Sequence, residues 1–260
     1  MSVDLEQACA ALFDASDPAE VAGDLRTIIE AAIVNQPRSL QKHIGPSELG
    51  NECDRCLVHK LAGTTEATEA AWLPFIGTCV HEQLETIFLQ HEATRGNLGM
   101  PSRFLPEHRV TVGKVAGIDI TGSTDLFDTH SGTVCDWKIV GTTTLRSARS
   151  KDASLVYQRQ AMLYGKGWED RGYTVTSVLI YFLPRNAVSL ADGYAWQAPY
   201  ERTVAEETLA HADALARSIC AFGLNHVLAN LPPHTNDGFT CRRFPDWQPP
   251  AHNTSDPFGS

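Results

Sequence analysis

Two short stretches, Gly122-Ser123-Thr124-Asp125 and Asp136-Trp137-Lys138, decide how this chain is interpreted. Asp136 and Lys138 lie in a segment rich in Val, Ile and Thr, which is typical of a β-strand. Residues two apart in a strand point to the same side of the sheet, so this carboxylate and this ammonium are expected side by side. We expect Asp125 to join them from the neighbouring strand, across a turn at Ser131-Gly132.

Two carboxylates and one lysine on a small surface allow two interpretations. The carboxylates repel each other unless a cation lies between them, and their oxygen atoms suit Mg2+ or Mn2+. Such an ion would polarise a phosphate ester and activate a water, while the lysine would orient that water or stabilise charge in the transition state. The alternative is an exposed cross-strand salt bridge, which contributes only a fraction of a kcal/mol.

The flanking sequence predicts a central mixed sheet flanked by helices, in the α/β (α+β) class. Apolar residues recur at helical spacing, or in runs rich in β-branched residues, on both sides of the two stretches. The predicted helices cover residues 18–36, 72–91, 153–172 and 204–228. The predicted strands cover residues 109–112, 115–120, 133–140 and 174–183, and the first three form an antiparallel meander.

Length and composition predict one main domain with helical additions. With 260 residues, 43% of them hydrophobic, the chain can bury a sizeable core. We expect an N-terminal helical extension over 1–45, the main domain over 46–230, and a tail over 231–260 with little regular structure. No run of about 18 apolar residues is present, and Asp4 and Glu6 make the N-terminus unlike a signal peptide, so we expect an intracellular, cytoplasmic protein.

The charge distribution is uneven. A formal net charge of −10 argues against a protein that coats nucleic acid non-specifically. The segment 138–159 nevertheless has five basic residues and only one acidic residue. This segment is either a solvated loop and helix start or a local track for phosphates.

The site residues resemble a known family. Asp125, Asp136 and Lys138 match the signature of PD-(D/E)XK nucleases, and their surroundings look like its RecB-like branch. Residues 77–82, around His81, resemble the helix that delivers a histidine metal ligand, and residues 160–164 resemble the Q-x-x-x-Y helix that follows the catalytic lysine. The resemblance runs from about residue 47 to 183. It implies a restriction-endonuclease-like core and a metal-dependent hydrolase of DNA, in particular an exonuclease of recombination, repair or phage replication.

The resemblance also implies a role for each residue. The catalytic residues would be Lys138, Asp125, Asp136, Gln160 and Tyr164. The ligands of Mg2+ or Mn2+ would be His81, Asp125 and Asp136, joined by Glu107, although an exposed glutamate at a strand start would look the same. With the resemblance, the phosphate track becomes the favoured interpretation of the basic segment, with DNA-binding residues Arg146, Arg149, Lys151 and Arg159.

The cysteines suggest a second centre. Residues 47–56 resemble the N-terminal segment of RecB-like nucleases with an iron-sulfur cluster, including those of CRISPR adaptation and many phage exonucleases. That family pattern has one early cysteine and three late ones. This chain departs from it, with two early cysteines and one late: Cys53, Cys56 and Cys241. A four-ligand iron-sulfur or zinc centre would need Cys220 or a histidine such as His234, and the alternative is a set of buried reduced thiols.

The expected partner is DNA, as single strands or duplex ends. The acidic and aromatic tail Asp256-Pro257-Phe258 also suggests a replication or recombination protein as a partner. Two rival functions stay open: a catalytically inactive DNA-binding protein on a nuclease fold, and an assembly protein with an acidic surface. Loss of catalysis normally removes the charged site residues first, and all of them are present here.

Overall fold

A mixed five-stranded sheet forms the centre of the chain. The computed structural model describes residues 18–35, 44–64, 71–234 and 241–247. The strands, in both chain and spatial order, are β1 (Phe104–Val115), β2 (Ile118–Asp128), β3 (Thr133–Val140), β4 (Ser177–Pro184) and β5 (Tyr194–Pro199). The described helices are α1 (Pro18–Val34), α2 (Pro46–Leu49), α3 (Asp54–Leu61), α4 (Trp72–Asn97), α5 (Thr142–Lys151), α6 (Leu155–Asp170), α7 (Arg202–Phe222) and α8 (Leu224–Asn230). The prediction of a mixed sheet flanked by helices is confirmed.

The sheet combines hairpins with one crossover. β1, β2 and β3 form the predicted antiparallel meander, and β5 pairs antiparallel with β4. β3 and β4 are parallel, so the chain between them must return across the sheet, and α5 and α6 make that return. β3 is therefore an interior strand, which explains why six of its eight residues are buried.

Side chains of the sheet alternate between two apolar layers. On one side, residues such as Val178 and Ile180 belong to the largest core cluster, to which residues of α6 and α7 also contribute. On the other side, Trp137 stacks on Phe88 of α4, with ring centroids 5.7 Å apart. The even-numbered residues of β3, Asp136 and Lys138 among them, face the α6 side, as their period of two predicts.

A buried carboxylate holds the turn between β2 and β3. Asp128 accepts hydrogen bonds from Arg103 Nε (3.0 Å) and Nη2 (2.8 Å), from the His130 backbone N–H (3.0 Å) and from Ser131 Oγ (2.8 Å). The Arg103 guanidinium is the main reason that the pKa of Asp128 falls to about 2. The turn therefore sets the alignment of the two strands that carry the candidate site.

Several element bounds differ from the sequence-based expectations. β1 and β2 extend to Phe104 and Asp128, because cross-strand pairing carries them beyond their β-branched residues. The helix expected over 204–228 is broken into α7 and α8 at Gly223, which has a φ of +82°. β5 and α5 were not predicted as elements; α5 begins with three threonines, which are poor helix formers, and is supported by its buried residues Leu145 and Ala148.

The domain boundaries remain predictions. Within the tail expected over 231–260, the described segment 241–247 contains a 3-10 turn, Cys241–Arg243, and Cys241 packs together with Cys53 and Cys56. The partner-binding tail Asp256-Pro257-Phe258 lies outside the described residues. Among the described residues, no helix combines the length and apolar character needed to cross a membrane.

Candidate functional site

The candidate site lies where β2 and β3 separate. The two strands pair from Asp128↔Thr133 to Leu126↔Cys135, and the pairing ends there. Beyond this point the Asp125 side chain takes the place of the backbone ladder, because its Oδ2 accepts a hydrogen bond of 2.6 Å from the Trp137 backbone N–H. Asp125 is thus held beside the strand segment that carries Asp136 and Lys138.

His81 reaches this point from α4. Its Nδ1 lies 3.0 Å from Asp125 Oδ1, and the two side chains are 20% and 10% exposed. Burial alone would lower the pKa of His81, but the hydrogen bond and the charge of Asp125 outweigh burial and raise it. The imidazole and the carboxylate therefore form a partly buried pair that solvent still reaches.

Glu107 joins them from β1 through an unusual backbone conformation. The flanking pairs Pro106↔Leu126 and His108↔Thr124 continue the β1–β2 ladder, but Glu107 itself has a φ of +47°. Such a left-handed conformation costs a non-glycine residue about 1–3 kcal/mol and is concentrated at functional sites. One ligand atom each of His81, Glu107 and Asp125 lies within 4.8 Å of the other two.

Asp136, Lys138 and Gln160 form a second, more deeply buried group beside the first. Lys138 Nζ lies 2.5 Å from Asp136 Oδ2 and donates a hydrogen bond of 2.9 Å to Gln160 Oε1. Gln160 Nε2 in turn donates to Asp136 Oδ1 at 3.1 Å. Lys138 Nζ also lies 4.8 Å from the centroid of the Tyr157 ring, a cation–π contact. Gln160 of α6 therefore positions both charged side chains.

The alternative of an exposed cross-strand salt bridge is wrong for this pair. The Asp136 and Lys138 side chains are only 4% and 15% exposed. Burial raises the pKa of Asp136. Burial would lower the pKa of Lys138, but the charges of Asp136 and Asp125 outweigh it and raise that pKa. Removing two charges from water costs several kcal/mol for each ion, so packing alone does not favour such a pair.

These residues fit a divalent cation. Asp136 Oδ2 is buried and forms an ion pair with Lys138 Nζ. Among the described residues, this oxygen accepts no hydrogen bond of regular geometry. An imidazole nitrogen and several carboxylate oxygens are a mixed set that Mn2+ accepts more readily than Mg2+. Asp136 stands outside the three-residue group of His81, Glu107 and Asp125, although its charge acts on His81.

Tyr164 is buried in the core one turn after Gln160. A Cβ atom on Gly122 would lie 3.1 Å from Tyr164 Cε1 and 2.9 Å from Pro46 Cδ. Glycine at this position of the motif thus allows α2 and α6 to approach β2 closely. The catalytic role of Tyr164 stays a prediction.

The four predicted DNA-binding residues do not form one free basic surface. Arg149 Nη2 donates to the carbonyl oxygens of Asp192 (2.5 Å) and Gly193 (3.1 Å), and Arg159 Nη1 donates to the carbonyl oxygen of Gly50 (3.1 Å). Arg146 and Lys151 are exposed on α5, and neither forms an ion pair with a described residue. Only these last two side chains are available for phosphates without losing a bond that supports the fold.

The early and late cysteines meet in a separate buried cluster, defined by Cys53, Cys56, His234 and Cys241. We call it the Cys/His cluster. His234 Nδ1 lies 3.4 Å from Cys53 Sγ and 3.5 Å from Cys56 Sγ, and Cys56 Sγ lies 3.4 Å from Cys241 Sγ. Cys220, the alternative fourth ligand, is exposed on α7 and outside the cluster.

Comparisons with known proteins found only distant likeness. No family model matches the chain. No curated protein matches it. Among solved structures, the protein SSO0001 has 13% sequence identity and a TM-score of 0.43, over 81% of this chain and 96% of that one. A phage-related exonuclease from Haemophilus somnus 129PT has 11% identity and a TM-score of 0.39, over 71% of this chain and 97% of that one.

Sequence reasoning missed three residues that support these sites. The ring of Tyr157 faces the Lys138 ammonium. Tyr157 precedes Gln160 by three residues, and this spacing, which puts both on one helix face, was the signal that could have identified it. His59 and Asp246 stand beside the Cys/His cluster, where both His59 Nε2 (2.8 Å) and His234 Nε2 (3.0 Å) contact Asp246 Oδ1. No local pattern pointed to these two residues.

Proposed function

We propose that this chain is a divalent-metal-dependent nuclease of the PD-(D/E)XK superfamily, in its RecB-like branch, and that it hydrolyses DNA phosphodiester bonds. The observation that carries the proposal is the meeting of His81, Glu107 and Asp125 with the buried pair Asp136 and Lys138 where β2 and β3 separate. We further propose an exonuclease that acts in recombination, repair or phage replication, as the resemblance of its motifs implies.

The burial of the Asp136–Lys138 pair supports catalysis over a structural role. A buried ion pair is often no more stabilising than two apolar side chains of similar volume. This pair is nevertheless held by both ends of the Gln160 amide, which fixes its geometry. A positive charge that is already held in place stabilises the transition state of phosphoryl transfer, because the charged group does not have to rearrange during the reaction.

Each residue of the candidate site would have a distinct role in hydrolysis. His81, Asp125, Asp136 and Glu107 would hold the ion, which would polarise the scissile phosphate and lower the pKa of a water. Lys138 would place its ammonium against the phosphate oxygens and stabilise the negative charge that develops on them. Gln160 would keep Lys138 in place, and the Trp137 backbone N–H would keep Asp125 in place.

DNA would reach the site along α5. This helix follows directly on β3, which carries Lys138, and presents the exposed side chains of Arg146 and Lys151. These two exposed cations would bind the backbone of a single strand or a duplex end without reading its sequence. A partner bound by the tail stays a prediction.

The test is digestion of end-labelled single- and double-stranded DNA with Mg2+, Mn2+ or EDTA. We expect metal-dependent release of short products from the ends, lost with EDTA. Lys138→Ala is expected to lower the cleavage rate by two or more orders of magnitude. Lys114→Ala, which removes an exposed lysine of β1, is the matched control and should cleave normally.

Each contrary result has a clear meaning. Internal cleavage would support the nuclease activity but refute the assignment as an exonuclease. DNA binding without cleavage in any metal would refute the nuclease and favour the inactive DNA-binding protein. Neither binding nor cleavage would favour an assembly protein. Normal cleavage by Lys138→Ala would remove this lysine from the mechanism.

A further inference from the structure

The Cys/His cluster has the size of a single tetrahedral metal site. Bonds of about 2.3 Å to sulfur and about 2.05 Å to nitrogen hold two sulfur ligands about 3.8 Å apart, and a sulfur and a nitrogen about 3.6 Å apart. The observed distances are 3.4 Å between the Cys56 and Cys241 sulfurs, and 3.4 and 3.5 Å from His234 Nδ1 to two sulfurs. A disulfide is excluded for Cys56 and Cys241, because its sulfurs would lie about 2.05 Å apart.

A four-iron cluster does not fit this arrangement. In a four-iron cluster each thiolate binds a different iron, so the cluster itself holds the ligand atoms apart. Here all four ligand atoms lie within 4.8 Å of one another. The donor set also differs, with three thiols and one imidazole in place of four thiols. Three cysteines and one histidine are instead a usual ligand set of structural zinc.

We propose that Cys53, Cys56, His234 and Cys241 bind one structural zinc ion. Four protein ligands complete a tetrahedral shell and leave no position for water or substrate, so the ion has no catalytic part. The three cysteines are buried, and Phe244 and Trp247 pack against them. This proposal is independent of the proposed nuclease activity.

The surroundings of His234 are those of a zinc-binding histidine. Its Nδ1 faces the sulfurs, while its Nε2 lies 3.0 Å from Asp246 Oδ1. A carboxylate at the distal nitrogen holds the proton there and leaves the other nitrogen as the ligand, as at many zinc sites. Asp246 is itself fixed by Arg55 Nη1 at 2.5 Å and by His59 Nε2 at 2.8 Å.

The ion would join the tail to the body of the domain. Cys53 and Cys56 stand at the start of α3, whereas His234 and Cys241 follow α8. Arg55 of α3 also donates to the carbonyl oxygens of Leu228 and Pro232, at 2.8 Å each. Zinc would therefore close a long chain loop and stabilise the packing of the tail on α3.

The first experiment measures the metal in the wild-type full chain. The protein is expressed with both zinc and iron in the medium, purified without oxygen and analysed for zinc, iron and inorganic sulfide. We expect one zinc per chain and a colourless protein. Exchange with Co2+ is expected to give sulfur-to-cobalt charge-transfer bands and the d–d bands of a tetrahedral site. Iron, with or without sulfide, or absence of any bound metal, would overturn the proposal.

Variants then identify the ligands. We expect Cys241→Ser to lose the zinc, while the matched control Cys220→Ser, at an exposed cysteine outside the cluster, keeps it. His234→Cys should keep one zinc and strengthen the sulfur-to-cobalt bands, which a role of His234 in packing alone would not produce. Asp246→Asn should weaken zinc binding about 10- to 100-fold without changing the number of ligands. A Co2+ spectrum that is identical in wild type, His234→Cys and His234→Ala would remove the histidine from the shell and refute the assignment.

Discussion

Replacing Asp128 with asparagine is expected to lower the free energy of unfolding by about 1–2 kcal/mol at pH 7. Asp128 is 5% exposed, and its pKa is about 2 in the folded protein, against an ordinary value of 3.8. One pKa unit corresponds to about 1.4 kcal/mol, so this shift amounts to somewhat more than 2 kcal/mol. Because the Arg103 side chain is 40% exposed, solvent screens the pair, and we expect the smaller value.

The sign of the pH dependence follows from the lowered pKa. The folded protein binds a proton at Asp128 less readily than the unfolded chain does, so ionised Asp128 stabilises the fold. This stabilisation is present above about pH 4 and is lost as the pH falls towards 2. The difference between wild type and Asp128→Asn should therefore be largest near neutral pH and shrink in acid.

Urea unfolding at pH 7 and at pH 3, followed by circular dichroism, measures this difference. Asp119→Asn is the control, because its carboxylate is 57% exposed and pairs with an exposed lysine. We expect the control to change stability by less than about 0.5 kcal/mol. Equal stability of wild type and Asp128→Asn at pH 7, or a difference that does not shrink in acid, would refute the role given to this carboxylate.

Three further predictions concern the candidate site and its surroundings. The double variant Arg146→Ala and Lys151→Ala should reduce the salt dependence of DNA binding by up to about two units of slope, measured by fluorescence anisotropy; an unchanged slope would exclude α5 from the DNA path. Gly122→Ala should destabilise the fold by about 1–3 kcal/mol, because the added Cβ atom would come too close to the 160–164 segment and α2. The control Gly77→Ala should not destabilise it, because its added Cβ atom would have no neighbour within 4 Å, and thermal unfolding compares the two variants. Mn2+ should support cleavage at lower concentration than Mg2+, and His81→Ala should reduce this preference. Titrations of the cleavage rate with each metal measure it, and an equal preference in wild type and His81→Ala would contradict the prediction.

Local patterns in the sequence determined the centre of the fold. The prediction for β3, residues 133–140, has the bounds that the structure has. The period of two also placed Asp136 and Lys138 on the same side of the sheet, because it depends only on neighbouring residues. The meander and the helix that carries Gln160 and Tyr164 followed in the same way from β-branched runs and helical spacing.

Tertiary structure decided what these patterns left open. Whether the Asp136–Lys138 pair is exposed depends on α6, whose Gln160 lies 24 residues after Asp136. The left-handed backbone of Glu107 depends on its place within β1, opposite the part of β2 where the pairing of β2 with β3 ends. Glutamate is not a residue type that favours this conformation, so the sequence does not predict it.

The same distinction explains the Cys/His cluster. The sequence supplied its cysteines and offered both Cys220 and His234 as a fourth member. The choice of His234 rests on a contact with Cys53 across 181 residues, made when the chain after α8 returns to α3. Helical and strand periodicities arise from residues a few positions apart, so they determine elements and the faces of those elements. Contacts between distant segments depend on how all the elements pack together, and only the tertiary structure contains that information.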